Sequence, residues 1–443
     1  MEEVVDRISF LPEELKISIL SRLELQDAIR TSALSRSWRR IWTLLPSLRL
    51  GVGCTRDLFG DDNNDGPVRS TWIERVHHLV SSLRGPLLVF ELGHKFDTHQ
   101  SVLIQSILDL LLQKGLLEEL YLCCFCRGDQ LVALHLPLPS FQSIKALELW
   151  GCHIILPSGF HGLNCLTSLK LFDIKISNDD LHLLIHASNN LTTLKLSLGD
   201  SNDPLSLNIS LPLLRYLEFE TFESFEKVSV ISAPSLERAY IYVTFRNFAA
   251  YRSAKLAWVT LGLLTSVAMV SSLHLGLHVI KSLSLVALPF NFTFTGLRCL
   301  YCSLHINTMD KRMHDVFIWL LRSAPFLEEL HLWERSSGQT NMVALIRELL
   351  LKKQDGISCL DQTLKRVMIN TNILNDLTNL VPSITLVKFF LLNAKVLKLM
   401  KIWQYTFPLE SSMLMELQKA KITSSDAKMV IFDVKSKVTI AVN

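Results

Sequence analysis

The sequence lacks the short motifs that mark bond-making or bond-breaking chemistry. It has no G-x-x-x-x-G-K-[ST] loop to cradle phosphates, no G-x-G-x-x-G turn for a dinucleotide and no G-x-S-x-G elbow for a serine nucleophile. Two histidine pairs stand four residues apart, His182 with His186 and His274 with His278, but neither carries the glutamate of an H-E-x-x-H zinc site. Packed or surface pairs are the expectation for both. Cys299 and Cys302 make a C-x-x-C with no second pair, and Cys123, Cys124 and Cys126 read as small hydrophobes beside an apolar run. No metal, cofactor or catalytic residue is expected.

Charge is also scarce. Charged residues make up 20% of the 443, and the net charge of +3 is too mild to imply nucleic acid. Met1 to Arg7 is acidic and mixed, unlike a secretory leader, and nine cysteines is an odd number at irregular spacings. Reduced thiols and a cytoplasmic or nuclear location follow as expectations. From Leu256 to Ile280 there is no Asp, Glu, Lys or Arg, a length that could cross a bilayer. Thr260, Thr265, Ser266, Ser271, Ser272, His274 and His278 interrupt it, so a buried repeat segment is predicted and no membrane contact.

What the chain does have is leucine in rhythm. Hydrophobic residues reach 49%, enough for a large core. The pattern L-x-x-L-x-L, with any large apolar residue allowed at each L, starts at Leu87, Leu117, Ile144, Leu166, Leu191, Leu214, Leu236, Val270, Ile280, Leu297, Leu327 and Leu364. From Leu117 to Leu236 the steps are 27, 22, 25, 23 and 22 residues, the period of a leucine-rich repeat. The last two apolar positions of each unit lie two apart and share one face of a strand. Stacked parallel strands with returning helices then bury one continuous leucine core. One return, Asn178 to Asn190, reads as an amphipathic helix capped by Ser177 or Asn178. Val270 and Ile280 compete for a single repeat, which leaves the register between 250 and 300 open. Residues 51–70 crowd Gly, Asp and Asn and break all periodicity, as a linker between structural units or a long loop within one.

The first fifty residues have a different texture. In LPEELKISILSRL, Pro12 suits a first helical turn and Glu13 and Glu14 suit its positive end. Leu11, Leu15, Ile19 and Leu23 form an i, i+4 stripe widened by Leu20. ELQD closes that helix, AIRTSAL makes a second, and Ser35 caps a third that projects Trp38, Ile41, Trp42 and Leu45. Three short helices are hard pressed to bury so much apolar surface alone, and each large side chain covered by a partner is worth roughly 1.5–3 kcal/mol.

Residues 6–50 resemble the F-box found at the start of plant F-box proteins with leucine-rich repeats. The resemblance rests on Leu11-Pro12, Ile19-Leu20, Leu23, the short loop at Leu25 to Asp27, and Ser35-Arg36-Ser37-Trp38-Arg39. It implies docking on a Skp-type adaptor and, through it, on cullin and RING subunits of an SCF ubiquitin ligase. Carried over by position, Leu11, Pro12, Leu15, Ile19, Leu23, Ile29, Leu34 and Trp38 form the adaptor face or support it, with Ile29 and Leu34 equally suited to an internal core. The tail, Leu386 to Trp403 and Leu417 to Phe432, is similar to the FBD module that closes many such proteins, although Ala420 to Ser424 replaces its usual basic-aromatic stretch. Residues 386–400 read as one amphipathic helix, and MVIFDV and KVTIAV as a hairpin across KSK that caps the array.

The expected architecture is α/β: a three-helix F-box at 6–50, a linker at 51–70, a leucine-rich-repeat solenoid at 71–380 with a parallel sheet on its concave face and helices on its convex face, and an FBD-like cap at 381–443. The expected function is a non-catalytic substrate-recognition subunit of an SCF ligase, against the alternatives of a non-degradative repeat scaffold or a small-molecule sensor. Strand alternation places Tyr121, Trp150, Phe172, Tyr216, Arg238, Tyr240, Tyr301 and Trp333 on the open face of the sheet, as anchors for an unknown protein substrate. The bland alternative is a solvated face with aromatic residues leaning on neighbouring repeats.

Overall fold

A computed structural model describes residues 8–51, 69–94, 100–124, 131–135, 142–198, 205–221, 225–243, 253–276, 278–304, 311–335, 356–372, 380–404, 423–433 and 438–442. The chain divides into two units, Met1–Asp203 with Leu211–Leu213, and Pro204–Ser210 with Leu214–Asn443.

The first unit opens with helix α1 (Glu13–Leu20) and helix α2 (Leu25–Arg30), followed by 3-10 turns at Thr31–Ala33 and Ile41–Leu44. Two expectations shift here. The second helix begins inside the ELQD that was to precede it. The third helix is replaced by tight turns, with Trp38 N–H donating to Ser35 O and Ile41 N–H to Trp38 O. The Ser35 and Ser37 hydroxyls bond each other at 2.9 Å, and Ser37 Oγ donates to Ser9 O at 3.2 Å, so both serines spend their side chains locally instead of on a regular helix. The tighter winding still brings Trp38, Ile41 and Leu45 inward, where they close a small core with Leu20 and Ala28.

Next come β1 (Ser47–Leu50), α3 (Arg69–Ser82), β2 (Val89–His94), α4 (Ser101–Gln113), β3 (Glu119–Cys124), β4 (Val132–His135), β5 (Ala146–Trp150), β6 (Cys152–Ile155), β7 (Ser168–Ile174), α5 (Asn178–His186) and β8 (Thr193–Leu198). The order β1-β2-β3-β5-β7-β8 is parallel throughout. β1 was not foreseen. It pairs Ser47–Leu50 with Val89–Leu92, so the sheet starts within the stretch read as F-box. Residues 52–68, most of the expected linker, lie outside the described residues.

Register makes the leucine repeat concrete. Leu120, Leu147, Leu169 and Leu194 sit opposite one another, as do Leu122, Leu149, Leu171 and Leu196, and all are buried. The carbonyl just before each strand accepts two N–H groups from the next repeat. Glu118 O takes Lys145 and Ala146, Lys145 O takes Thr167 and Ser168, and Thr167 O takes Thr192 and Thr193. Ser177 Oγ caps α5 by accepting from Asp180 N–H at 3.1 Å. Not every return is helical: β4 and β6 pair as a separate two-stranded sheet.

The second unit holds β9 (Leu205–Ser210), β10 (Tyr216–Thr221), β11 (Phe225–Ser232), β12 (Arg238–Val243), α6 (Ala254–Ser266), β13 (Ser272–Leu275), α7 (Val279–Leu283), β14 (Cys299–Leu304), α8 (Lys311–Arg322), β15 (Glu329–Arg335), α9 (Ser358–Gln362), β16 (Arg366–Asn372), α10 (Leu380–Asn393), β17 (Leu399–Gln404), β18 (Lys428–Asp433) and β19 (Val438–Val442). Strands β10-β12-β13-β14-β15-β16-β17-β18 run parallel, β19 closes antiparallel, and β9 pairs β11 apart. Here too Leu217, Ala239, Leu273, Leu300, Leu330, Val367, Met400 and Met429 form one buried row.

The competition between Val270 and Ile280 is settled for Val270, which leads into β13, whereas Ile280 lies in α7. The uncharged run is thus helix, strand and helix. Thr260 and Thr265 donate to Leu256 O and Leu261 O of their own helix, which lets polar side chains sit in a buried segment. No described helix is long and apolar enough to cross a membrane. The single helix expected over 386–400 ends at Asn393, and Leu399–Gln404 is one more repeat strand. The hairpin expected at the end is present as β18 and β19, its KSK turn lying outside the described residues.

Candidate interaction surfaces

Helix α1 divides its apolar residues between two sides. Ile17 and Leu20 face the small core, while Leu15 and Ile19, with Leu23 just past the helix end, remain 51%, 42% and 43% exposed. Leu34 adds a further exposed side chain at 67%. Leu11 and Ile29 are half-buried, and Pro12 is exposed at the N-terminus of α1. Trp38 belongs elsewhere. It is 2% exposed, inside the core, so it supports the face from beneath and presents nothing to a partner. Lys16 braces this arrangement, donating to Ser9 O at 2.8 Å with its ammonium 5.7 Å from the Trp38 ring centre. Ile8 and Phe10, which sequence reasoning passed over, are also exposed. They precede the Leu-Pro pair, and only the size of their apolar side chains could have marked them.

The second surface is the open face of each sheet. In the first unit Arg49, Glu91, Tyr121, Glu148, Lys170 and Lys195 stand in one register row. Arg49 pairs with Glu91 at 3.0 Å, Lys170 pairs with Glu148 at 2.9 Å, and Trp150 Nε1–H donates to Glu148 at 2.9 Å. Trp150 and Phe172 lie on neighbouring strands with ring centres 4.1 Å apart. Tyr121 donates to Glu119 at 3.0 Å, and burial followed by that carboxylate pushes its phenol up to about 12.

In the second unit the rings stack. Tyr240, His274, Tyr301 and His331 occupy directly opposite positions on β12, β13, β14 and β15. Their centroids are 3.8, 3.8 and 4.1 Å apart, and Tyr216 joins diagonally, 4.9 Å from Tyr240. Parallel strands stand about 4.8 Å apart, so opposite rings are brought nearly to contact, and each such pair is worth about 0.5–1.5 kcal/mol beyond burial. Burial first, then the neighbouring His331 and Arg238, lowers His274 to about 4, and burial lowers His331 too. Both imidazoles are therefore neutral in the stack. Tyr216 donates to Glu218 at 2.8 Å, and burial followed by that carboxylate raises its phenol. Glu329 holds His331 at 3.4 Å and pairs with Arg366. Arg238 flanks the ladder, exposed and with no ion pair among the described residues. Trp333 projects from β15 at the same face.

These are repeats that bury leucine on one side and expose aromatic and charged residues on the other, behind a helical unit with an apolar outer stripe. A family profile described as "FBD-associated F-box protein At5g56370, LRR repeats" matches residues 104–332, and an F-box domain profile matches residues 8–50. The chain belongs to the FBD-associated F-box family with leucine-rich repeats. It is similar to F-box/FBD/LRR-repeat protein At1g13570 of Arabidopsis thaliana, 31% identical over 238 residues that cover 53% of each chain. It is also similar to F-box/FBD/LRR-repeat protein At2g04230 of the same plant, 29% identical over 53% of this chain and 47% of that one. F-box/LRR-repeat protein At3g26922, again from Arabidopsis thaliana, is 26% identical over 53% of this chain and 82% of its own length. The match thus spans about half the length of the first two curated relatives.

Among the residues expected on the substrate face, the ladder joins Tyr216, Tyr240 and Tyr301, with Arg238 beside it, while Tyr121, Trp150 and Phe172 lie together in the first unit. His274 was missed. It had been weighed only as half of a pair with His278, but His274 is in a strand and His278 directly precedes α7. His182 and His186 stack on each other at 5.5 Å. Cys299 and Cys302 alternate across β14, the first half-buried and the second buried, so one strand points them to opposite faces. Cys126 lies outside the described residues, and no group of three or more metal-ligating side chains occurs among those described.

Proposed function

We propose that this protein is a non-catalytic substrate-recognition subunit of an SCF-type ubiquitin ligase. Its F-box docks on a Skp-type adaptor, which links it to cullin and RING subunits, and its repeats hold a target protein. The observation that carries this reading is the division of labour in the N-terminal unit. Trp38, Leu20 and Ile41 already close a core, yet Leu15, Ile19, Leu23 and Leu34 stay in water. A cluster of large exposed aliphatic residues on so small a unit is an interface waiting for cover. The open faces supply the second half, because aromatic residues and arginine are the usual anchors of protein contacts. Such a subunit works by position: it raises the local concentration of a target near the ubiquitin-charged enzyme.

The test is a pull-down of the full chain from plant extract. Adaptor and cullin should both be recovered, and both should be lost on substituting Leu11, Pro12 and Leu15 with Ala. Recovery of adaptor without cullin would favour a non-degradative scaffold instead.

A further inference from the structure

Unit two contains a cavity that no part of the recognition reading uses. It lies between the segment 284–293 and helix α8 and has a volume of about 810 Å³, within the range that holds a small molecule. Its walls are apolar and polar in nearly equal measure, the apolar part being Leu285, Val286, Leu288 and Phe292 on the segment and Ile318 and Trp319 on the helix. The wall is held in shape. Trp319 Nε1–H donates to Pro289 O at 3.0 Å, Phe292 stacks on Trp319 at 5.8 Å, and Phe294 N–H donates to Ser323 O at 2.7 Å.

His314 lines the same cavity and is 6% exposed. Neither of its ring nitrogens has a hydrogen-bond partner. Nδ1 stands 3.7 Å from Asp315 Oδ1, beyond hydrogen-bond reach, and the Asp315 side chain is largely in solvent. A buried imidazole left unpaired is costly, and ordinary protein interiors avoid it. Arg312 and Arg322 also line the cavity, both exposed, and neither has an ion-pair partner among the described residues. Among the described lining residues two guanidinium groups stand against one carboxylate, Asp315.

Aromatic walls, an imidazole without a hydrogen-bond partner and two guanidinium groups are complementary to one chemistry. We propose that this cavity binds a small aromatic organic anion, its ring against Phe292 and Trp319, its anionic group met by Arg312 or Arg322, and a polar substituent bonded to His314. Guanidinium suits carboxylate, sulfonate or phosphate because its donors form a planar fork.

The test uses the full chain and two fluorescent probes of similar shape, anilinonaphthalene sulfonate, which is anionic, and N-phenylnaphthylamine, which is neutral. The anionic probe should bind saturably at one site and about tenfold more tightly than the neutral one, the size expected for a charged hydrogen bond. Substituting both arginines, Arg312→Gln with Arg322→Gln, should weaken the anionic probe about tenfold and leave the neutral probe unchanged. His314→Phe should reduce binding of both by filling the cavity. The same titration in a Leu15→Asp, Ile19→Asp background removes the exposed apolar stripe as a rival site. Equal affinity for the two probes, an arginine variant that binds the anion as wild type does, or loss of binding in the stripe variant would each overturn the proposal. Circular dichroism of each variant separates lost binding from lost fold.

Discussion

His274 and Tyr301 lie face to face, ring centres 3.8 Å apart and planes 7° from parallel. Their strands pair directly, His274 opposite Tyr301, so backbone spacing sets the ring spacing. A neutral imidazole fits between two phenols where an imidazolium would carry an unpaired charge. Burial, with Arg238 nearby, keeps it neutral.

Acid should therefore weaken the second unit. In the unfolded chain a histidine takes up a proton below about pH 6.5, whereas folded His274 resists one until about 4. Between those values the unfolded state binds more protons, so stability rises with pH and falls as pH drops. His331 and His314, both lowered mainly by burial, act in the same direction. Urea unfolding followed from pH 7.5 to 4.5 should show this loss, and His274→Phe should make the profile shallower. An unchanged slope would remove His274 as a cause.

The two sides of the N-terminal unit should separate under mutation. Trp38→Ala empties the core and should cost about 3–5 kcal/mol. Leu15→Ala changes a side chain already in water and should stay within about 0.5 kcal/mol. Thermal unfolding monitored at 222 nm tests stability, and recovery of the Skp-type adaptor tests binding. Leu15→Ala should weaken binding with the fold intact, and equal thermal shifts for the two variants would contradict the assignment.

Thiol reactivity should follow burial. Burial pushes the Cys359 thiol up to about 12 and the Cys123 thiol up to about 11, and it raises Cys302 as well. Cys165 is exposed. Brief alkylation of native protein at pH 8, mapped by peptide mass spectrometry, should label Cys165 first among the described cysteines and spare Cys302 and Cys359 until denaturant is added.

Three glycines grade the cost of a side chain. Gly159 has φ +82 with open space around it, so Gly159→Ala should lose about 1–2 kcal/mol from the left-handed backbone alone. Gly151 and Gly162 have positive φ as well, and a Cβ there would overlap the carbonyl oxygens of Cys124 and Ala187. Gly151→Ala and Gly162→Ala should be distinctly worse in the same denaturation assay. Equal losses at all three would mean the neighbouring backbone yields freely.

Much of this was legible beforehand where periodicity and burial coincide. Leu147, Leu169 and Leu194 repeat because each must reach one shared core, and that constraint is written in spacing. Ile280 fits the same spacing and lies in a helix, since a pattern of apolar residues does not itself distinguish strand from helix. Strand β17 was hidden because the apolar spacing of α10 carries on through Val396, Leu397 and Leu399, and Lys395 alone does not mark the break. The outward stripe of α1 was readable, but not which aromatic turned inward: Trp38 is buried by tight turns whose geometry local propensity does not report. The cavity beside His314 depends on residues brought together by tertiary packing, and nothing in their spacing shows it.

The pairing of β1 with β2 has a mechanical consequence. Ser47–Leu50 is hydrogen-bonded along its length to Val89–Leu92, and Arg84 N–H reaches Thr43 O at 2.8 Å. A body seated on α1 is thereby mounted at a set angle to the first unit's strands, as on a bracket and not on a leash. Breaking the Ser47–Leu50 ladder would let the mount swing.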